Sequence, residues 1–183
     1  MADLLLTDST MPVSFCKAGI ASARVMAEYL GARVHLVEDV DVELRRLATE
    51  LPALATLLED WPLNPVRQLD LSLKAEVALA IKARHVPGQH PEEDRGEIAT
   101  VFYAAKRLEE GELLDVITDD RFGKQLVRDR GLGLVTTPNL VIELARSGAL
   151  SVKEGERVWR HCTPRAAWGR FKDEVASHVA ANR

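Results

Sequence analysis

The residues best suited to chemistry are carboxylates that follow apolar runs. In DLLLTDST the run Leu4 to Leu6 ends on Thr7 and Asp8, and in LLDVITDDRFG a second run ends on Thr118, Asp119 and Asp120. An Asp at a strand-to-helix turn can simply cap the helix, because it accepts a hydrogen bond from an exposed backbone N–H and favours the positive end of the dipole. One Asp is enough for a cap, and the second segment carries a pair. If the two strands are neighbours, like charges meet in a partly desolvated cleft and drive one group to hold a proton. A divalent cation removes that repulsion. Hard ions such as Mg²⁺ or Mn²⁺ take oxygen ligands and keep some of their water, so a few carboxylates around a cleft suit them. Glu97, in DRGEIAT, and Glu43, in DVELRRL, are two further acids near helix starts. Read singly, each is also an ordinary solvated or dipole-complementing glutamate.

The elements that must position these acids follow from hydrophobic spacing. Leu4 to Leu6 suits a central parallel strand. Helical material follows, with Ile20 to Leu30 at three- and four-residue spacings and Gly31 as its stop. Arg33 to Val37 reads as a second strand. Val40, Leu44 and Leu47 share one helical face, with Glu43 beside it. Pro52 and Pro62 leave room for one short helix and an irregular connection. Leu73 to Arg84 reads as a helix, and HVPGQHPEEDRG as an exposed loop. A helix from Arg95 to Leu108 stops at Gly111, a strand runs from Leu113 to Thr118, and Phe122, Leu126 and Val127 mark the next helix. A short strand near Leu132 to Val135 precedes a helix opened by Pro138 and closed by Gly148. Two more helical segments, Val152 to His161 and Arg165 to Val179, end the chain.

Strands alternating with helices predict an α/β fold: a parallel sheet of roughly four to five strands, covered by helices on both faces, with right-handed crossovers. In such a fold, polar residues that do chemistry sit beyond the carboxyl ends of the strands, where the strand order reverses. That places Asp8 and Asp119/Asp120 at one edge. Residues 1–150 are expected to form the domain, and residues 151–183 a helical extension packed on it or at a dimer interface.

The chain has 183 residues, 46% hydrophobic and 28% charged, a composition that suits one core. Its formal charge of -4 argues against nucleic-acid binding through bulk positive charge, though not through a local basic rim. The start, MADLLLTDST, lacks the features of a secretory leader, and no apolar run approaches the roughly 18 residues of a membrane span. A cytoplasmic protein without a membrane segment is the expectation. Cys16 and Cys162 lack CxxC spacing, and His35, His85, His90, His161 and His178 lack HxxxH or HExxH spacing, so neither a disulfide framework nor a zinc site is indicated.

Taken in order, the acidic motifs resemble those of the PIN domain nucleases. LLLTDSTMPVSF is similar to the family's first strand, ending in Asp and followed by small hydroxyl residues. DVELRRL supplies the Glu after the second strand, GEIATVFYAA the acid at the head of a mid-chain helix, and TDDRF the Thr-x-Asp turn after a later strand. The resemblance covers roughly residues 3 to 150. The GE…TDDR…G order and the ending LVIELARSGALS resemble a subgroup often paired with antitoxins.

The resemblance implies that Asp8, Glu43, Glu97 and Asp120 form an acidic Mg²⁺ or Mn²⁺ site, with Asp8 its central ligand. Asp119, Thr118 and Ser9 are auxiliary candidates, and Glu43 acts through water or positions the nucleophile. The implied activity is hydrolysis of RNA to 5′-phosphate products, and the implied assembly is a homodimer with a cognate antitoxin as a further partner. Two departures stand out: position 97 is Glu where the family commonly has Asp, and TDD leaves open whether Asp119 or Asp120 is the ligand.

An acidic site that cuts a polyanion needs cations at its rim. Arg121 and Lys124 follow the TDD turn, and Arg45 and Arg46 flank Glu43; all four are also ordinary solvated helix charges. Trp61, Trp159 and Trp168 are aromatic without basic interleaving, which suits core or interface more than base stacking. The rival reading is a catalytically silent module of the same fold that binds protein or RNA, its acids serving as caps. A phosphotransfer enzyme with Asp8 as nucleophile fits less well, because Thr10 stands where a second Asp is expected.

Overall fold

Four short parallel strands carry the site, the central ones largely buried at apolar stretches and one edge strand only half-buried. The computed structural model describes residues 2, 4–61, 66–84, 94–162, 171 and 173. β1 (Leu4–Thr7), β2 (Val34–His35), β3 (Leu114–Ile117) and β4 (Gly133–Val135) form one sheet in the order β2-β1-β3-β4, all parallel. The fold is mixed α/β, compatible with the expected helix–sheet–helix layering. The order reverses between β1 and β3, whose register runs Leu4↔Leu114 to Thr7↔Ile117, so the two acidic turns leave the sheet side by side.

The helices described are α1 (Thr10–Ala18), α2 (Ile20–Leu30), α3 (Glu38–Ala48), α4 (Pro52–Asp60), α5 (Leu71–Arg84), α6 (Arg95–Glu109), α7 (Arg121–Asp129), α8 (Thr137–Arg146) and α9 (Val152–Cys162). α6 packs on β1 and β3, and α3, α5 and α7 pack on α6. α1 packs against α2, α4, α8 and α9. Leu5, Leu6, Val116, Ile117, Met11, Phe15, Ile98 and Val101 are part of the buried core between them.

Three details differ from the sequence-based expectation. The helical stretch after β1, in which the spacing marked only Ile20 to Leu30, holds a second helix before it, because Gly19 adopts φ 127° and ψ 153°, a region open in practice to glycine alone, and breaks the chain between α1 and α2. β2 keeps only Val34 and His35 of the expected Arg33 to Val37. Arg33 falls in a 3₁₀ turn, and the Val37 carbonyl is taken by the N–H groups of Val40 and Asp41 as α3 begins. Val37 also bridges to Arg67 in parallel, which extends the sheet edge by one isolated pair. α3 starts at Glu38, and Glu38, Asp39 and Asp41 in its first turn complement the helix dipole.

Beyond residue 150, α9 lies against α1 and α8, burying Val158 and Trp159. Phe171 is buried too, its ring 5.3 Å from that of Trp159. The remainder of the expected Arg165 to Val179 helix, Trp168, His85, His90 and His178 lie outside the described residues. Among the described residues no helix is long and apolar enough to cross a membrane. Removing the Phe171 ring strips a filled position from the core, so Phe171→Ala is expected to cost about 3–5 kcal/mol in urea unfolding. An unchanged midpoint would contradict the docking of that ring.

Candidate active site

Asp8 leaves β1 at its carboxyl end, and its own N–H donates to the Ile117 carbonyl at 3.2 Å. The parallel ladder therefore continues one step past the strand and fixes Asp8 beside the β3 turn. Its Oδ1 accepts from the Thr10 N–H at 2.9 Å as α1 begins. Thr118 is held in the same way by its N–H donating to the Val135 carbonyl of β4 at 3.2 Å. Its hydroxyl donates to Glu97 Oε1 at 3.0 Å, and Glu97 stands in the first turn of α6. Asp8, Glu97 and Thr118 are all buried.

Burial decides the electrostatics of this group. The Asp8 carboxyl is pushed from its ordinary 3.8 up to about 7, first by desolvation and then by the neighbouring Asp119 charge, against opposing hydrogen bonds from Thr118 and Thr10. Glu97 is pushed up to about 8 by desolvation, by Asp120 and by Asp8, with Thr118 opposing. Thr118 faces both carboxyls, but its hydroxyl has one proton, and the 3.0 Å contact assigns it to Glu97. Among the described residues no Lys or Arg forms an ion pair with Asp8, Glu97 or Asp119.

The TDD turn divides its labour. Asp120 caps α7, its Oδ1 accepting from the N–H groups of Phe122 at 2.6 Å and Gly123 at 3.4 Å, and it is exposed. Asp119 turns inward: Oδ1 accepts from the Thr137 N–H at the start of α8 at 2.9 Å, while Oδ2 is buried without a hydrogen-bond partner. Burial raises the Asp119 pKa, opposed by its hydrogen bonding to Thr137 and by Lys124. Of the two residues, Asp120 takes the cap, and Asp119 turns its carboxyl inward.

Glu43 sits at the rim. Its Oε1 accepts from Ser9 Oγ at 2.9 Å, and its Oε2 lies 2.9 Å from where a Cβ on Gly96 would stand, against the head of α6. Arg45 turns away to pair with Asp41 at 2.8 Å, and Arg46 is exposed on the same helix. Arg121 and Lys124 lie beside Asp120 in an open cavity of about 610 Å³.

The donor set fits a hard divalent cation: buried carboxylate oxygens, two raised well above their ordinary pKa, and one buried oxygen without a partner. Among the described residues no three acidic, His or Cys side chains close up into a ready cage. Mg²⁺ commonly binds through one or two carboxylates and keeps its remaining waters, so a closed cage is not required. In this arrangement Asp8 and Glu97 are the pair that would hold the ion, with Thr118 orienting Glu97 and the Asp119 charge acting on Asp8.

Gly123 belongs to the site although it carries no functional group. A Cβ there would stand 1.9 Å from Glu97 Oε1 and 2.8 Å from Thr118 Oγ1, so only glycine lets α7 approach the carboxylate. The signal was present in the sequence as an isolated Gly in the first turn of a predicted helix, where it costs about 1 kcal/mol against Ala and so asks for a packing reason.

Because the folded pKa values of Asp8 and Glu97 lie above their ordinary values, the folded state holds protons that the unfolded chain releases. The metal-free protein therefore loses stability as pH rises from about 4 to about 8. Mn²⁺ should raise the melting temperature more at pH 8 than at pH 6, because it competes with those protons. Asp8→Asn, which keeps the acceptor for Thr10 N–H, should flatten the metal-free pH profile; a profile as steep as wild type would show that Asp8 is not its source. Gly123→Ala should drive the Glu97 carboxyl off the Thr118 hydroxyl inside a buried site, lowering metal-free stability by about 1–3 kcal/mol and shrinking the Mn²⁺-induced rise in melting temperature. No family model, curated protein or solved structure matches the chain, so the chemistry of the site rests on its own atoms.

Proposed function

We propose that the chain is a Mg²⁺- or Mn²⁺-dependent ribonuclease of the PIN type that hydrolyses RNA phosphodiester bonds. The observation that supports this reading most is the juxtaposition of buried Asp8 and Glu97 around the Thr118 hydroxyl, neither of them ion-paired to a Lys or Arg among the described residues. A bound ion would supply Lewis acidity toward water and the scissile phosphate and offset charge on the leaving oxygen. Asp8 and Glu97 would present the oxygens that hold it, and Thr118 fixes the orientation of Glu97. Asp119, braced by Thr137 N–H, keeps a buried Oδ2 without a hydrogen-bond partner, and its charge acts on Asp8. Glu43, hydrogen-bonded to Ser9 at the rim, is suited to positioning water rather than to direct coordination. The antitoxin partner and the homodimer belong to the same proposal and rest on the resemblance of the motifs alone, and a cytoplasmic setting joins them on the sequence features of the chain's start and the lack of a membrane-length apolar run.

The second reading, a silent module that binds protein or RNA, is favoured by the structural work these acids already do. Asp120 caps α7, Asp119 anchors the start of α8, and Glu43 ties α3 to Ser9. Cleavage separates the two. With Mn²⁺, wild-type protein should cut single-stranded RNA and leave 5′-phosphate ends. Thr118→Val should slow cleavage about 10- to 100-fold, the usual effect of losing a group that orients a metal ligand, and Asp8→Asn should slow it further. Equal product from wild type and Asp8→Asn, or none from either, would move the protein to the second reading.

A further inference from the structure

The open cavity beside Asp120 is lined by four cations drawn from two helices. Arg121, Lys124 and Arg128 recur at three- and four-residue spacing on one side of α7, over about 10 Å of its length. Arg84, the last residue of α5, enters from the other wall. Its guanidinium carbon lies 3.6 Å from the centroid of the Phe122 ring, and its Nη1 lies 2.5 Å from Asp94 Oδ2. The guanidinium is thus held from beneath by an aromatic face and from one edge by a carboxylate, while it still lines the cavity. On a chain with a formal charge of -4, this wall is locally positive even with Asp120 in its lining and Arg84 paired to Asp94.

From these contacts we infer that the groove between α5 and α7 binds single-stranded nucleic acid, one base stacking on the supported Arg84 guanidinium and successive phosphates lying on Arg121, Lys124 and Arg128. A flat, pre-oriented guanidinium is a stacking platform for an unpaired base, whereas a base in a duplex has both faces covered. Cations repeated along one helix side suit a chain of evenly repeated phosphates. Asp120 at the end of the groove joins it to the acidic site, so the strand is led toward Asp8 and Glu97. The inference deepens the nuclease reading and rests on it for direction, but not for binding itself.

Binding is measured by fluorescence anisotropy with the Asp8→Asn protein in EDTA, using labelled single-stranded RNA and a blunt duplex of the same length, across a salt series. The single strand should bind more tightly than the duplex. Lys124→Ala and Arg128→Ala should each reduce the salt slope by about 0.7. Arg84→Lys, which keeps the charge and loses the plane, should weaken single-strand binding about tenfold and leave duplex binding unchanged. Arg128→Glu, at an exposed position, tests the groove independently of any folding defect at Arg84, and should weaken binding by more than Arg128→Ala. Equal affinities for wild-type and charge-reversed grooves, preference for duplex, or capture of polyglutamate in place of RNA would each overturn the inference. Groove-dependent binding by a wild-type protein that cuts no RNA would uphold the groove while removing the nuclease reading.

Discussion

One constraint governs the molecule: β1 and β3 must pair in parallel at a register that brings two acidic turns together. The pairing ends at Thr7↔Ile117, and the next backbone hydrogen bond, Asp8 N–H to the Ile117 carbonyl, extends it into the site. A shift of one residue would swap every side chain of the shifted strand into the opposite packed layer, so core packing holds the register firmly. Apolar burial in the sheet thus sets the spacing of the charges beyond it. The site is costly in isolation, because desolvation works against each of Asp8, Glu97 and Asp119. The fold tolerates that cost where protons or a cation can offset it.

The supports around the acids form a closed circuit of short elements. Asp8 is tied to α1 through Thr10, Asp119 to α8 through Thr137, and Glu43 to the residue after Asp8 through Ser9. α6 delivers Glu97 because it packs directly on β1 and β3. Each acid therefore sits at the first turn of a helix or on a contact to one, where the positive end of the dipole partly compensates it. α9 reaches the same circuit from the far side by packing on α1 and α8, the two helices that begin beside Asp8 and Asp119.

Much of this was readable from the amino acids alone. Leu4 to Leu6 and Val116 to Ile117 are apolar without alternation, which marks buried parallel strands, and the Asp after each run marks the carboxyl edge of the sheet. The span of α2, Ile20 to Leu30, is legible because Gly31 ends it. What could not be read depends on backbone detail. Gly19 looks like any glycine until its φ of 127° separates two helices. The division of labour between Asp119 and Asp120 depends on which residue is β-extended at the N-cap of α7, and TDD carries no trace of that choice. Arg84 lies far from the acids in sequence, and only the meeting of α5 and α7 brings it to Phe122. By contrast, Arg45 sits next to the motif in sequence and is turned away by its pairing with Asp41.

The closeness of α7 to Glu97 has a mechanical meaning. Because hydrogen alone occupies the side-chain position at Gly123, the helix bearing Arg121 and Lys124 rests directly on the carboxylate and cannot move nearer. A missing methyl group acts as a gauge block between the cationic wall and the acidic floor, and holds the offset between them constant.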